Sequence, residues 1–406
     1  MGARVLLLGS ECEWALVFLL VLAFGVSITG VDAMSRRLLD VRIRMNYHER
    51  HALRSIQSED GDIIDCIDIY KQPAFDHPAL KTHKIEMTPT FEQTVETEIL
   101  TNKSTTKKDS SMIMTSQLWR KNGSCPTGTI PIRRIRKKDL HNFKSPTNYG
   151  TKGPSFPNYV MESNDDKRDS QYLDPNRSYA ILITEGYNYN GAKADMRVWN
   201  PRVENDDEYS TSRIALKNGP YYDYESIEAG WVVDASKNTG CFDLFCPGFI
   251  QTSNEVALGG VIQSIPVPGG LPWIMTLDIV KDPGTSNWWV QYQEMYIGYW
   301  PSEIFERLSG TAETVQWGGE VYSSRLRHPG HTGTAMGSGQ FPDFVAQDSG
   351  WTKRMRIRAD SMVLRYPEWV YKYADDYRCY DVFLYWEYIP DPEFYFGGPG
   401  RSYLCV

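Results

Sequence analysis

Hydrophobic and polar positions give the chain three textures. Residues 14–26 are one apolar run, WALVFLLVLAFGV. From about Ser178 onward the pattern changes to short β-branched and aromatic runs: SYAILITEG, ADMRVWNP, STSRIALKNG, IEAGWVV, PGFIQT, WIMTLDIVKD and NWWVQYQEMYIGYWP. Gly, Pro, Asn and Asp separate them. Several alternate at period two, with Met275, Leu277 and Ile279 apolar against Thr276 and Asp278. Period two places alternate side chains on opposite faces of a strand, and no window holds a long helical period. The pattern predicts a mainly β, antiparallel sandwich of jelly-roll type. PSEIFERL at 301–308 is the best short helix, with Ser302 as its N-cap.

The middle texture is mixed. Residues 40–59 have sparse apolar positions among Arg and His and suit a helix or a loose arm. Residues 63–70 read as a short strand, which Pro73 and Pro78 then break. Residues 92–117 are rich in Thr, Ser and Lys and read as a loop. Structure resumes at LWRKNGSCPTGTIPIRRIRKK, which ends in five basic residues within 133–138. Residues 141–170 have a linker composition. The chain therefore divides into 1–33, 34–168 and 169–406, a signal peptide, a small N-terminal pro-domain with its linker, and the β-rich domain.

Composition narrows the function classes. At 406 residues and 41% hydrophobic, the chain is long enough for a sizeable core. A net charge of −8 argues against a dedicated nucleic-acid binder. The single apolar run falls short of the roughly 18 residues that span a membrane. With Arg4 before it and Val31 and Ala33 at cleavage-site positions, it reads as a secretory signal. An exported chain, extracellular in the apoplast or cell wall and with no membrane attachment after cleavage, is the expectation. Charge is also unevenly shared: net +6 over residues 34–168 and net −12 over 169–406. A basic pro-segment against an acidic domain is a complementary pair, and its hold should weaken with acid and salt.

Cysteines agree with export. Cys12 falls in the signal, leaving Cys66, Cys125, Cys241, Cys246, Cys379 and Cys405. Six cysteines allow 15 pairings. Pairing within segments favours Cys66–Cys125, Cys241–Cys246 and Cys379–Cys405. Asn-x-Ser/Thr sequons at Asn102, Asn122 and Asn176 are candidate glycan acceptors. No metal or cofactor motif is present, and a monomer is expected.

The chain lacks GxSxG, HExxH, CxxC and Walker patterns. His328 and His331 are the only histidines of the β-rich region, which disfavours a His-dependent nucleophile there. Catalysis would then rest on carboxylates, one protonated and one ionised. The candidates are Glu228 in SIEAGWVV and Glu320 in VQWGGEVYS, each with a Trp three positions away and Gly close by. The bland alternative for each is a solvent-face strand glutamate. A carboxylate pair on a β-sandwich also fits a glycoside hydrolase.

Ordered motifs add a resemblance. SEDGDIIDCIDIYKQPAFDHPAL and CPTGTIPIRR look like the activation peptide of the neprosin family of plant secreted glutamic peptidases. RVWNP, SIEAGW, TGCFDLFCPGF, KDPGTSNWW, IGYWPSEIF, VQWGGEV, MGSGQFP and FYFGGPGR look like its catalytic domain. The resemblance implies a zymogen with an acid-active β-sandwich peptidase, cutting after proline with two glutamates and a water. It puts the glutamates at Glu228 and Glu320, and the pro-segment in the role of inhibitor. Trp231, Trp317 and Tyr299 are candidate walls of the groove that receives proline. Two departures stand out: only residues 234–238 link GWVV to TGCFDLFC, where the family has a longer insert, and Gln340 replaces the His of SGHFP. An inactive extracellular binding module for wall polysaccharide or protein is the alternative these departures keep open.

Overall fold

The computed structural model describes residues 51–91, 113–114, 117–134, 176–206, 208–220, 224–234, 248–262, 273–342, 348–359, 362–387 and 389–405. The N-terminal part contributes β1 (Ala52–Gln57) and β2 (Ile63–Asp68). The two-residue β3 (Ile113–Met114) pairs in parallel with a strand of the later domain, and β4 (Thr129–Arg133) completes a β1-β2-β4 sheet. Residues 52–57 are thus a strand, not a helix or arm. The expected strand at 63–70 stops at Asp68, whose carboxylate accepts from Tyr70 N and starts a 3-10 turn, Ile69–Lys71. Pro73 and Pro78 each open a further short 3-10 turn, as a residue lacking an N–H can at a first helical position.

The β-rich domain follows with β5 (Arg177–Tyr189), β6 (Gly191–Arg197), β7 (Tyr209–Asn218), β8 (Glu225–Asp234), β9 (Ile250–Gln251), β10 (Trp273–Lys281), β11 (Trp288–Tyr292), β12 (Met295–Trp300), β13 (Ala312–Tyr322), β14 (Gly350–Arg358), β15 (Tyr371–Ala374), β16 (Asp381–Tyr385) and β17 (Glu393–Gly397). They form a nine-stranded sheet, ordered β16-β17-β14-β6-β10-β11-β12-β9 with β3 beside β10, and a five-stranded sheet, β15-β5-β13-β7-β8. The two pack face to face. Leu182, Ile214, Leu216 and Trp317 of one meet Ala194, Met196, Leu277, Ile279 and Phe394 of the other in one core. The mainly β, antiparallel expectation holds.

The run at 287–301 makes two strands, because Gln293 adopts a φ of +57 in a tight turn between Tyr292 and Met295. The helix expected at 301–308 is a single 3-10 turn, Ser302–Ile304, with Pro301 at its N-cap position and Ser302, the expected cap, inside it. Disulfides join Cys66 to Cys125 and Cys379 to Cys405, as the spacing suggested; Cys241 and Cys246 lie outside the described residues, as does Asn102. Asn122 is exposed and donates its amide to Gln57 O at 2.8 Å, and Asn176 is half-buried just before β5.

The N-terminal part is built into the fold. Ile67, Ile69, Ile130 and Ile132 join the main core. Ala74 and Leu80 pack on Ile250, Val280, Trp289 and Tyr299, on the outer face of the nine-stranded sheet. The edge strand β9 is also occupied. The Gln72 amide accepts from Gln251 N at 2.7 Å and donates to Gln251 O at 3.1 Å, so a side chain stands in for a strand partner. His83 meets Glu303 and the Tyr299 hydroxyl, which also accepts from Glu86 N. These described contacts are mostly apolar or neutral, and the Arg120–Glu255 pair is exposed. They carry little of the charge complementarity expected from composition.

One of these contacts is acid-labile. Asp282 accepts from Thr90 N at 2.7 Å, from the Thr90 hydroxyl and from Gly284 N. Burial raises its pKa, but those hydrogen bonds outweigh burial and leave it below the ordinary 3.8. The contact therefore stabilises the fold fully above 3.8 and is lost as pH falls through the lower, folded value. Asp282→Asn should flatten the fall of melting temperature between pH 5 and pH 2. An unchanged slope would show that the acid response lies elsewhere.

Candidate active site

The outer face of the five-stranded sheet is polar at its centre. Strand register explains how. Glu320 on β13 lies between Tyr179 of β5 and Thr211 of β7. One step along, Gly318 lies between Ile181 and Arg213, and Arg213 in turn faces Gly230 of β8. A further step places Ala215 opposite Glu228. Side chains two apart share a face. Tyr179, Glu320, Thr211, Arg213 and Glu228 therefore all rise from the same surface, away from the core.

Arg213 holds the two glutamates together. Its Nε lies 2.9 Å from Glu228 Oε2 and 3.1 Å from Glu320 Oε2, and its Nη2 lies 2.9 Å from Glu320 Oε2. Two oxygens at 2.9 and 3.1 Å from one nitrogen are at most about 6 Å apart. That is close enough for one water to touch both carboxylates. Glu320 is fully buried. It also accepts from the Tyr209 hydroxyl at 2.6 Å and pairs with Arg177 at 3.3 Å. Glu228 sits on the outer strand β8 with its side chain 12% exposed, against 0% for Glu320, and accepts from Ser226 Oγ at 3.3 Å.

The surroundings report the charge. Burial works against the Arg213 cation, but Glu228 and Glu320 outweigh it and hold it more firmly protonated than usual. Burial and the Glu320 charge push the Tyr179 and Tyr209 hydroxyls well above 10. Burial and both carboxylates push Tyr224 up to about 12. Lys217 lies over the Tyr224 ring at 4.6 Å. The tyrosines are therefore neutral hydroxyls that can donate. Behind the site, Asp375 accepts from Tyr179 N and Ser178 Oγ and pairs with Arg327 at 2.8 Å, tying the start of β5 in place.

Glycine is required here. Gly318 has φ +131, and a Cβ there would lie 2.4 Å from Ala180 O. A Cβ at Gly230 would lie 2.0 Å from Ser212 O. Both cross-strand neighbours of Arg213 thus lack side chains.

The sequence-based groove walls lie elsewhere. Trp317 and Trp231 are three residues from Glu320 and Glu228, and an odd step along a strand turns the side chain to the other face. Both are core residues, with Trp231 Nε1 donating to Arg197 O. Tyr299 belongs to the other sheet, under the N-terminal segment. Gln340 sits in an exposed turn whose carbonyl abuts Gly397. The shortened link after β8 lies mostly outside the described residues. Arg177, Tyr179, Tyr209, Thr211 and Arg213 also belong to the site, and no sequence motif marks them. The alternation of Tyr209, Thr211, Arg213 and Lys217 with Ile214 and Leu216 carries the signal for β7. His331 lies near Cys379 and Cys405, but those sulfurs form a disulfide and offer no thiolate to a metal.

Comparison with known families agrees with this architecture. Residues 55–182 match the neprosin activation peptide, and residues 206–399 match the neprosin domain. The chain belongs to the neprosin family. An activation peptide ahead of a peptidase-family domain is the organisation of a protease zymogen, with the leading segment in an inhibitory role.

Proposed function

We propose that this chain is the precursor of a secreted, acid-activated glutamic endopeptidase that cuts after proline, with Glu228 and Glu320 as its catalytic pair. The observation that carries the reading is Arg213, which holds both carboxylates within contact of one nitrogen on an otherwise polar outer sheet face. In this scheme one carboxylate takes a proton from the attacking water as its oxygen bonds to the peptide carbonyl carbon. The other, protonated, delivers its proton to the amine as the C–N bond breaks. Glu228, the more exposed, is the member that trades protons with solvent. Disulfides in the described residues fit an oxidising, extracellular location. Processing within the stretch between β4 and β5 would cut the covalent link between the N-terminal segment and the catalytic domain, and a monomer is proposed throughout.

The test is an assay of the secreted, acid-treated protein on a quenched peptide containing one proline, from pH 3 to 7. Cleavage after that proline, greatest in acid and lost in Glu228→Gln and Glu320→Gln, is the expected result. A folded, processed protein that cleaves nothing would favour the non-catalytic binding module.

A further inference from the structure

We propose that Arg213 is a third catalytic residue, whose Nη1 receives the oxyanion of the tetrahedral intermediate. The inference deepens the peptidase reading and rests on it.

Arg213 is 3% exposed. Its Nε and Nη2 are turned to the two glutamates, yet Nη1 has no hydrogen-bond partner among the described residues. Leaving a charged donor buried and unpaired costs more than leaving it in water, so such a donor calls for a reason. Thr211, cross-strand from Glu320, repeats the pattern: it is 2% exposed and its Oγ1 also lacks a partner among the described residues. Two unspent polar groups, one on the guanidinium that bridges the carboxylates and one cross-strand from Glu320, mark a place for a polar ligand atom. The neighbours of Arg213 across the sheet, Gly318 and Gly230, present no side chain that could fill it.

The chemistry suits these donors. As the water oxygen bonds to the carbonyl carbon, the C=O π pair moves to oxygen and the water's proton moves to a glutamate. The new negative charge forms against a guanidinium already fixed by two carboxylates, so little reorganisation is needed. When the C–N bond breaks, the pair returns to C=O and the amine leaves with the proton from the acid glutamate. Arg213 neither gains nor loses a proton.

The experiment uses the acid-processed full-length protein and Arg213→Lys, which keeps the charge but not the fork. Expected is a fall in kcat of about 10²–10³-fold with little change in KM. A phosphinic peptide, an anionic mimic of the intermediate, should lose affinity by a similar factor while the product peptide does not. Unchanged kcat, or equal losses for phosphinate and product peptide, would overturn the proposal. Should Arg213→Lys fail to fold, the wild type decides. The phosphinate must then bind at least about 100-fold more tightly than its neutral methylene isostere, and equal affinities overturn the proposal. Glu228→Gln and Glu320→Gln run alongside. If both of them cleave, the glutamate-pair reading fails and takes this one with it, as it does if the folded, processed wild type cleaves nothing. If both are dead and Arg213→Lys is as fast as wild type, only the oxyanion role fails.

Discussion

Glu320→Gln should stop cleavage and also lower the melting temperature, whereas Glu228→Gln should stop cleavage at little cost in stability. Both substitutions remove a proton-transfer group, and each should lower kcat/KM by about 10²–10⁴-fold. Their structural consequences differ. Glu320 is fully buried between Arg177 and Arg213 and accepts from Tyr209. A neutral amide there removes the fully buried counter-charge that Arg177 and Arg213 share, leaving Arg213 only the more exposed Glu228, a loss of about 3–5 kcal/mol for breaking a buried pair. For a domain of this size that is a drop in melting temperature of about 6–20 °C. Glu228 is partly exposed on an outer strand, and Arg213 keeps Glu320 when Glu228 is neutralised. Calorimetry beside the peptide assay checks both halves. Equal melting temperatures for the two variants would mean that Glu320 does not carry the buried charge described here.

A chain beginning at Asn176 should fail to fold when expressed without residues 51–134, and those residues supplied in trans should restore it. The reason is burial. Ile67, Ile69, Ile130 and Ile132 are part of the sandwich core, and Leu80 covers Trp289 and Tyr299, both fully buried. Each large aliphatic side chain is worth about 1.5–3 kcal/mol when buried. Five of them approach the whole net stability of a typical domain, about 5–15 kcal/mol. Losing Gln72 also uncovers the edge of β9, a template for association with other chains. Yield of soluble, oxidised protein from the two expressions measures the effect. Full yield of a folded 176–406 chain would show that the segment is a detachable cover.

The docking of that segment also bears on inhibition. Ala74 and Leu80 of that segment lie on the outer face of the nine-stranded sheet and Ile67, Ile69, Ile130 and Ile132 reach the core, while Glu228 and Glu320 lie on the outer face of the five-stranded sheet. The contacts seen there hold the fold together and do not plug the site. The Asp282–Thr90 contact persists until the pH falls below the ordinary carboxylate range.

Much of this was legible from residue order. Period-two runs marked most strands, because a half-buried strand must alternate. The Cys66–Cys125 and Cys379–Cys405 pairings are the ones that closing within one segment favours, among 15 possible. Glu228 and Glu320 were found through the family motifs around them. Their Trp neighbours do not line the site, because three steps along a strand leave the face, as Trp231 and Trp317 show. The helix expected at 301–308 failed because Glu306 N, Arg307 N and Leu308 N donate to Glu225 of another strand instead of to their own turn.

Local pattern along the chain was thus enough for the strand content and two of the cross-links, and the family motifs pointed to Glu228 and Glu320 as the candidate acids. The meeting of those acids depended on sheet order and register. β13 and β8 are each bonded to β7, and only that arrangement carries Arg213 to a point between Glu320 and Glu228. Pairing between distant strands is a global packing choice, made by the core beneath them, and no short window of sequence contains it.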